Sequence, residues 1–245
     1  MYTAADVVNG ATYWPGPLAP NTWTTLYGKN LSWTTASISP TDLSDGTWPT
    51  RIPGTGVQIL FGRGTPARVS YVSPTEISFL TPAAQDLGPT TLTVMRDGLY
   101  GPPITIVFAE VSPGLFQDKL MACASHPDGS LIDNDSPAHP GEIVVLTANG
   151  LGQTTVPLDS QSDGRIVTST DAATLRIQRF ADFRVTLDDS PVDSERVLWA
   201  GLATGFAGQY QIKLQLPDSV GPNPEIRVWI GDQGSPPGIR LAVQP

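Results

Sequence analysis

Apolar residues along this chain recur at every second position rather than at the three-to-four spacing of a helix face. Val57, Ile59 and Phe61 share one face of the segment 57–61, and β-branched residues crowd segments 90–95 and 104–108. Segments 22–27, 143–146, 183–187, 210–216, 226–230 and 239–243 read as strands on the same grounds. Turn signals separate them: Asp97-Gly98, Asp128-Gly129, Asn149-Gly150, Asp163-Gly164 and several Gly-Pro or Pro-Gly pairs. Many short strands with closely spaced turns predict a sandwich or barrel. Segment 171–180 (DAATLRIQRF) is open between a helical turn and a strand.

Composition narrows this. The 245 residues include 24 Gly and 24 Pro, with 15% charged and 40% hydrophobic residues. Gly and Pro interrupt helix interiors, so a helical bundle is excluded. The apolar share excludes a disordered chain, and no apolar run is long enough for a membrane-spanning helix. A net charge of -9 argues against general nucleic-acid binding. The loose cluster Arg176, Arg179 and Arg184 contains Asp182. A lone Cys123 rules out an intrachain disulfide and reads as a small core residue. The start MYTAADVVNG has neither a basic nor an apolar leader region, so a signal peptide is not expected within these residues.

An internal correspondence sets the expected organisation. LAPNTWTTLYGKNL (18–31) aligns with AHPGEIVVLTANGL (138–151), placing Pro20 on Pro140, Leu26 on Leu146 and Leu31 on Leu151. The segment from Val57 aligns with that from Phe183, and 71–82 with 199–217. Each half then reaches a Gly-Pro step, at Gly88-Pro89 and Gly221-Pro222. The reading is an all-β protein of two tandem immunoglobulin-like β-sandwich domains, 1–110 and 111–245. Trp23, Trp199 and Trp229 lie on strand patterns and are expected in the core, and the Tyr71/Trp199 position is expected to close it.

The strings VVNGATY, PGPLAPNTWTTLYGKNL, YVSPTEISFLTP, VSPGLF, PGEIVVLTANGLG and WAGLATGFAGQYQIKLQLP cover nearly the whole chain. They resemble the two-part C-terminal module of large exported proteins of Acidobacteria such as Solibacter. The repeated unit is also similar to TIG-type domains. The resemblance implies export and brings no known catalytic residues. The insertion 32–56 and the acidic stretch 118–135 depart from the pattern.

Candidate chemistry is sparse. Ser125, His126 and Asp128 crowd one short turn, whereas triad members come from separate loops. Asp188, Asp189, Asp193 and Glu195 fit a hairpin turn better than a glycosidase carboxylate pair. Asp128, Asp133 and Asp135 with Asn134 form an oxygen-rich loop, a candidate Ca²⁺ site without a known loop signature. No other cofactor is implied. Trp33 and Trp48 flank the Ser/Thr/Pro-rich insertion, where an exposed indole either stacks on a sugar or pins the loop. The expectation is therefore a non-enzymatic, secreted or cell-surface structural, adhesion or docking module. Its expected partners are extracellular proteins or a surface polysaccharide, with no nucleic acid and no membrane insertion. The alternatives are a carbohydrate-binding module using Trp33 and Trp48, or a C-terminal sorting or anchoring domain.

Overall fold

The computed structural model describes residues 1–159, 163–168 and 174–245. Ten strands precede Glu110: β1 Val7–Asn9, β2 Trp23–Tyr27, β3 Ala36–Ser37, β4 Val57–Phe61, β5 Thr65–Pro66, β6 Arg68–Val72, β7 Glu76–Leu80, β8 Gly88–Arg96, β9 Leu99–Tyr100 and β10 Ile104–Phe108. Seven of the later strands are β11 Gly114–Leu115, β12 Gln117–Asp118, β13 Met121–Ala122, β14 Ala124–Ser125, β15 Leu131–Ile132, β16 Ile143–Asn149 and β17 Phe183–Leu187. The last five are β18 Ser190–Pro191, β19 Val197–Leu202, β20 Tyr210–Gln215, β21 Ile226–Ile230 and β22 Gln233–Gly234. Helical structure among the described residues is limited to short 3-10 turns. The fold is all-β, of the immunoglobulin-like sandwich class.

The first ten strands form two sheets, β1-β2-β7-β6-β3 and β10-β8-β4-β5. The later strands form β15-β14-β16-β20-β19 and β18-β17-β21-β22, with a small β12-β13 ribbon. Among the described residues no sheet mixes strands from the two sides of Glu110. Period-two alternation builds the cores. Val57, Ile59 and Phe61 point inward from β4 and meet Leu26, Val69, Ile77 and Phe79 of the facing sheet. In the later half, Val185, Ile226, Val228 and Ile230 face Leu146, Tyr210, Ile212 and Leu214. Asp97-Gly98 closes the β8–β9 hairpin in two residues. Asp188 and Asp189, at φ +47° and +61°, make the same tight connection between β17 and β18.

Several expectations need correcting. Trp229 lies between buried Val228 and Ile230, so the same alternation that fills the core turns it outward. There it sits against Arg184 and Arg227, at 4.8 and 4.3 Å from the ring centre. Tyr71 and Trp199 are only half-buried, each at a register shift in its strand pair. A bulge re-aims side chains, which is why these aromatics do not close the core. Cys123 is exposed, because its neighbours Ala122 and Ala124 take the inward positions. In segment 239–243, Ile239, Leu241, Ala242 and Val243 are buried, and among the described residues its pairing is by bridges at Arg240 and Val243. Within 171–180, the described part carries bridges at Arg176 and Ile177 and no helical turn before Phe180; its first residues lie outside the described set.

Candidate functional site

The insertion 32–56 does not stand apart as a surface loop. Its second part crosses to the later half, where Trp48 N donates to Gly164 O at 2.9 Å and Ile166 N to Gly46 O at 2.8 Å. Arg68 Nε reaches Asp163 Oδ2 at 3.1 Å, and Asp163 Oδ1 accepts from Ala83 N at 3.2 Å. Burial pushes the Asp163 carboxyl up, and neighbouring Arg68 only partly opposes this. Trp23 Nε1 donates to Ala207 O at 2.8 Å. Asn149 is fully buried and bonds Trp23 through both ends of its amide, and its Nδ2 also donates to Asn9 Oδ1. Asn9 Nδ2 in turn donates to Ser112 O at 2.9 Å.

Beside this seam lies a groove of about 460 Å³ lined by Trp23, Trp48, Phe116, Ile166, Phe206 and Gln209, with Ser70 at its edge. Trp48 meets Trp23 edge-on, with ring centroids 5.1 Å apart. Phe206 is 51% exposed. Trp48 Nε1 is buried and has no hydrogen-bond acceptor among the described residues. A concave apolar wall with a few convergent polar groups is the usual form of a ligand site. The arrangement can bind a flat apolar face. It brings no acid–base pair together.

The sequence-selected residues fall in separate places. Trp48 is half-buried in this groove, where the crossing chain packs it against Trp23, the pinning alternative of the two read from the sequence. Trp33 is 69% exposed at another part of the first sandwich. Its ring carries the Arg96 guanidinium at 3.9 Å, and its Nε1 donates to Asp97 Oδ2 at 3.1 Å. The two indoles share no partner. Nor does the structure gather Asp128, Asp133 and Asp135 into a ligand set. Asp128 Oδ1 accepts from Ser130 N and Oγ, bonds that hold its carboxyl below the usual range. Asp133 Oδ1 accepts from Asp135 N and Ser136 N. The Asp128 and Asp133 carboxylates cap their own turns, and among the described residues no three His, Cys, Asp or Glu side chains are placed to hold a metal. His126 bonds Glu142 and Ser136 rather than Ser125. Sequence reasoning missed Phe116, Phe206 and the groove role of Trp23. These meet only through contacts between distant parts of the chain, which no local pattern records.

No family model matches the sequence, and no curated protein matches it. Solved structures with partial likeness include SGBP-B of the Bacteroides ovatus mixed-linkage glucan utilization locus, in complex with a mixed-linkage heptasaccharide. It shows 11% identity and a TM-score of 0.34 over 93% of this chain and 43% of that one. SGBP-B from a Bacteroides uniformis xyloglucan utilization locus shows 12% identity and a TM-score of 0.27, over 92% and 46%. Murine CEACAM1b shows 11% identity and a TM-score of 0.22, over 94% and 96%. The chain thus spans less than half the length of the two SGBP-B proteins, and overlaps this partial carry no functional information.

Proposed function

We propose that this chain is a non-enzymatic extracellular docking module that holds two β-sandwich units at one fixed angle and receives a partner in the groove between them. The carrying observation is the groove itself: parts of the chain on both sides of Glu110 build its wall, and Trp48 Nε1 is buried there without an acceptor. The exposed Phe206 ring and the apolar wall give a partner surface to bury there. The hydrogen bonds of the Asn9–Asn149–Trp23 seam and the Arg68–Asp163 ion pair support a rigid joint. Resemblance to exported modules supports the extracellular placement. Among the described residues no helix is long and apolar enough to cross a membrane.

The test places a photo-crosslinking amino acid at Phe206, whose exposure tolerates substitution, and irradiates the protein on the surface of cells that export it. One discrete adduct, lost when Trp48→Ala is added, supports the reading. Failure to form any adduct from Phe206, in cells where an exposed control position reacts, contradicts it.

A carbohydrate reading of the same groove is favoured by one observation: Trp23, Trp48 and Phe206 offer ring faces and edges beside the polar Ser70 and Gln209. Sugars present a C–H face and a hydroxyl rim, which suits that mixture. Calorimetric titration with neutral oligosaccharides, in the parent protein and in Trp48→Ala, separates it from protein docking.

A further inference from the structure

A second site lies at the β8–β9 hairpin, away from the groove. Trp33 and Tyr100 are 69% and 72% exposed there, and Leu99 is 76% exposed. Beside them a pocket of about 190 Å³ is lined by Lys29, Asn30, Arg96, Leu99 and Tyr100, over a floor that includes Tyr2. Tyr2 is fixed from below, its Oη donating to Pro102 O and accepting from Val94 N. Arg96 is held in place on two sides, by the Trp33 ring and by a hydrogen bond to Asn30 O.

Two basic residues line this pocket. The chain carries 23 acidic against 14 basic residues. The ion pairs of the described residues engage Arg68, Arg179, Arg196 and His126, and neither Lys29 nor Arg96 takes part in one. The carboxylate next in sequence, Asp97, has Oδ2 turned to the Trp33 indole N–H. Two cations in no direct ion pair, beside exposed aromatic rings, complement a ligand that is both flat-faced and anionic. The pocket is smaller than the ~300–1,000 Å³ of a site for a drug-sized ligand. It suits one ring of a longer chain, whose neighbouring rings cross the open surface of Trp33.

We infer that this end of the first sandwich is a binding site for an acidic saccharide, its carboxylate or sulfate held by Lys29 and Arg96 and its ring face laid on Tyr100 and Trp33. The inference rests on the reading of the chain as a binding module, but it uses a different surface from the groove. A neutral sugar would make no use of the two cations, and a compact anion would make none of the aromatic rings.

Calorimetric titration of the full chain tests it with three probes: an oligogalacturonate, a heparin-derived sulfated oligosaccharide, and a neutral oligosaccharide of matched length. The expected result is binding of one or both acidic probes, weakening with added salt, and no binding of the neutral one. The carboxylated and sulfated arms identify the anion. Lys29→Gln and Tyr100→Ala should each lower affinity about tenfold, the loss of one charged or stacking contact. Because Arg96 also packs on Trp33, Arg96→Gln is secondary to Lys29→Gln, and Trp48→Ala serves as the unaffected control. Equal binding of the neutral probe, silence from both acidic probes, or unchanged affinity in Lys29→Gln would overturn the inference. Silence here together with a Phe206 adduct would remove this site and leave the docking module standing. Acidic-saccharide binding without a Phe206 adduct would do the reverse.

Discussion

Asn149, buried at the end of β16, pairs with both backbone groups of Trp23 in β2: Trp23 N donates to Asn149 Oδ1 at 3.0 Å, and Asn149 Nδ2 donates to Trp23 O at 2.8 Å. One side chain thereby behaves as an added strand residue and ties the later half of the chain to the first. Asn149→Ala removes the acceptor of a backbone N–H and one donor to Asn9. The expected loss is about 2–3 kcal/mol, since stranded buried polar groups cost ~1–3 kcal/mol each. Chemical denaturation measures it. A change below about 0.5 kcal/mol, the range of an ordinary surface substitution, would contradict the role given to this residue.

The next residue supplies a steric test. Gly150 has φ +68°, and a Cβ built on it would lie 2.1 Å from the Ser112 carbonyl oxygen. Gly129 has φ +90° with nothing within 4 Å. Gly129→Ala should cost about 1 kcal/mol, the backbone strain alone. Gly150→Ala should cost clearly more, because Ser112 belongs to the seam and its backbone must move. Equal costs in thermal unfolding would mean that the close approach at Ser112 does not hold in solution.

The Arg68–Asp163 pair makes a prediction in the unusual direction. Burial raises the Asp163 carboxyl despite Arg68, so the folded state holds this proton more tightly than the unfolded chain. The favourable contribution is full below the unfolded Asp value, about 3.9, and falls as pH rises through the folded value. Asp163→Asn should remove that fall from the stability–pH curve. Arg68→Met in the parent should destabilise at neutral pH, near the lower end of the ~3–5 kcal/mol for breaking a buried pair, since both side chains keep some solvent contact. Arg68→Met in the Asp163→Asn background should cost less, and a double-mutant cycle with no coupling would sink the assignment.

His126 and Glu142 behave in the ordinary way. The hydrogen bond that His126 donates to Glu142 raises its imidazole against a smaller burial effect. Burial alone would raise the Glu142 carboxyl, but bonds from His126 and the His139 amide together outweigh it and lower the group. The histidine contribution is present below the unfolded value, about 6.5, and disappears as pH rises through the folded one. The Glu142 contribution is present above the unfolded Glu value, about 4.3, and disappears as pH falls through the folded one. The pair should therefore stabilise most between these limits. Stability curves of the parent and Glu142→Gln should differ most in that window and keep a smaller difference above it, from the His139 amide bond. NMR titration of His126 should show its midpoint falling in the variant; an unmoved midpoint would rule the pair out.

Much of the fold was legible because its signals are local. Period two placed Val57, Ile59 and Phe61 on the inward face of β4, and Asp97-Gly98 announced a two-residue hairpin. The same rule should have turned Trp229 outward, since Val228 and Ile230 claim the inner face. Hydrophobic size pointed the other way, and alternation won. Trp33 was recognisable as an exposed indole from its Ser/Thr-rich setting. The groove was not, because Trp48, Trp23 and Phe206 converge only when segment 46–48 crosses to 164–166. The Asp128–Asp135 loop reads differently in the fold for a related reason: the Asp128 and Asp133 carboxylates each bond a backbone N–H two or three residues away rather than converging.

The central claim is that the halves on either side of Glu110 form one rigid body with its binding groove at the joint. Residual dipolar couplings of backbone amides in a weakly aligned sample test it most directly. One alignment tensor is expected to fit residues 1–110 and 111–245 together, with the orientation given by the structure. Two tensors differing in magnitude or axes would show that the halves move independently, and would remove the groove as a standing site.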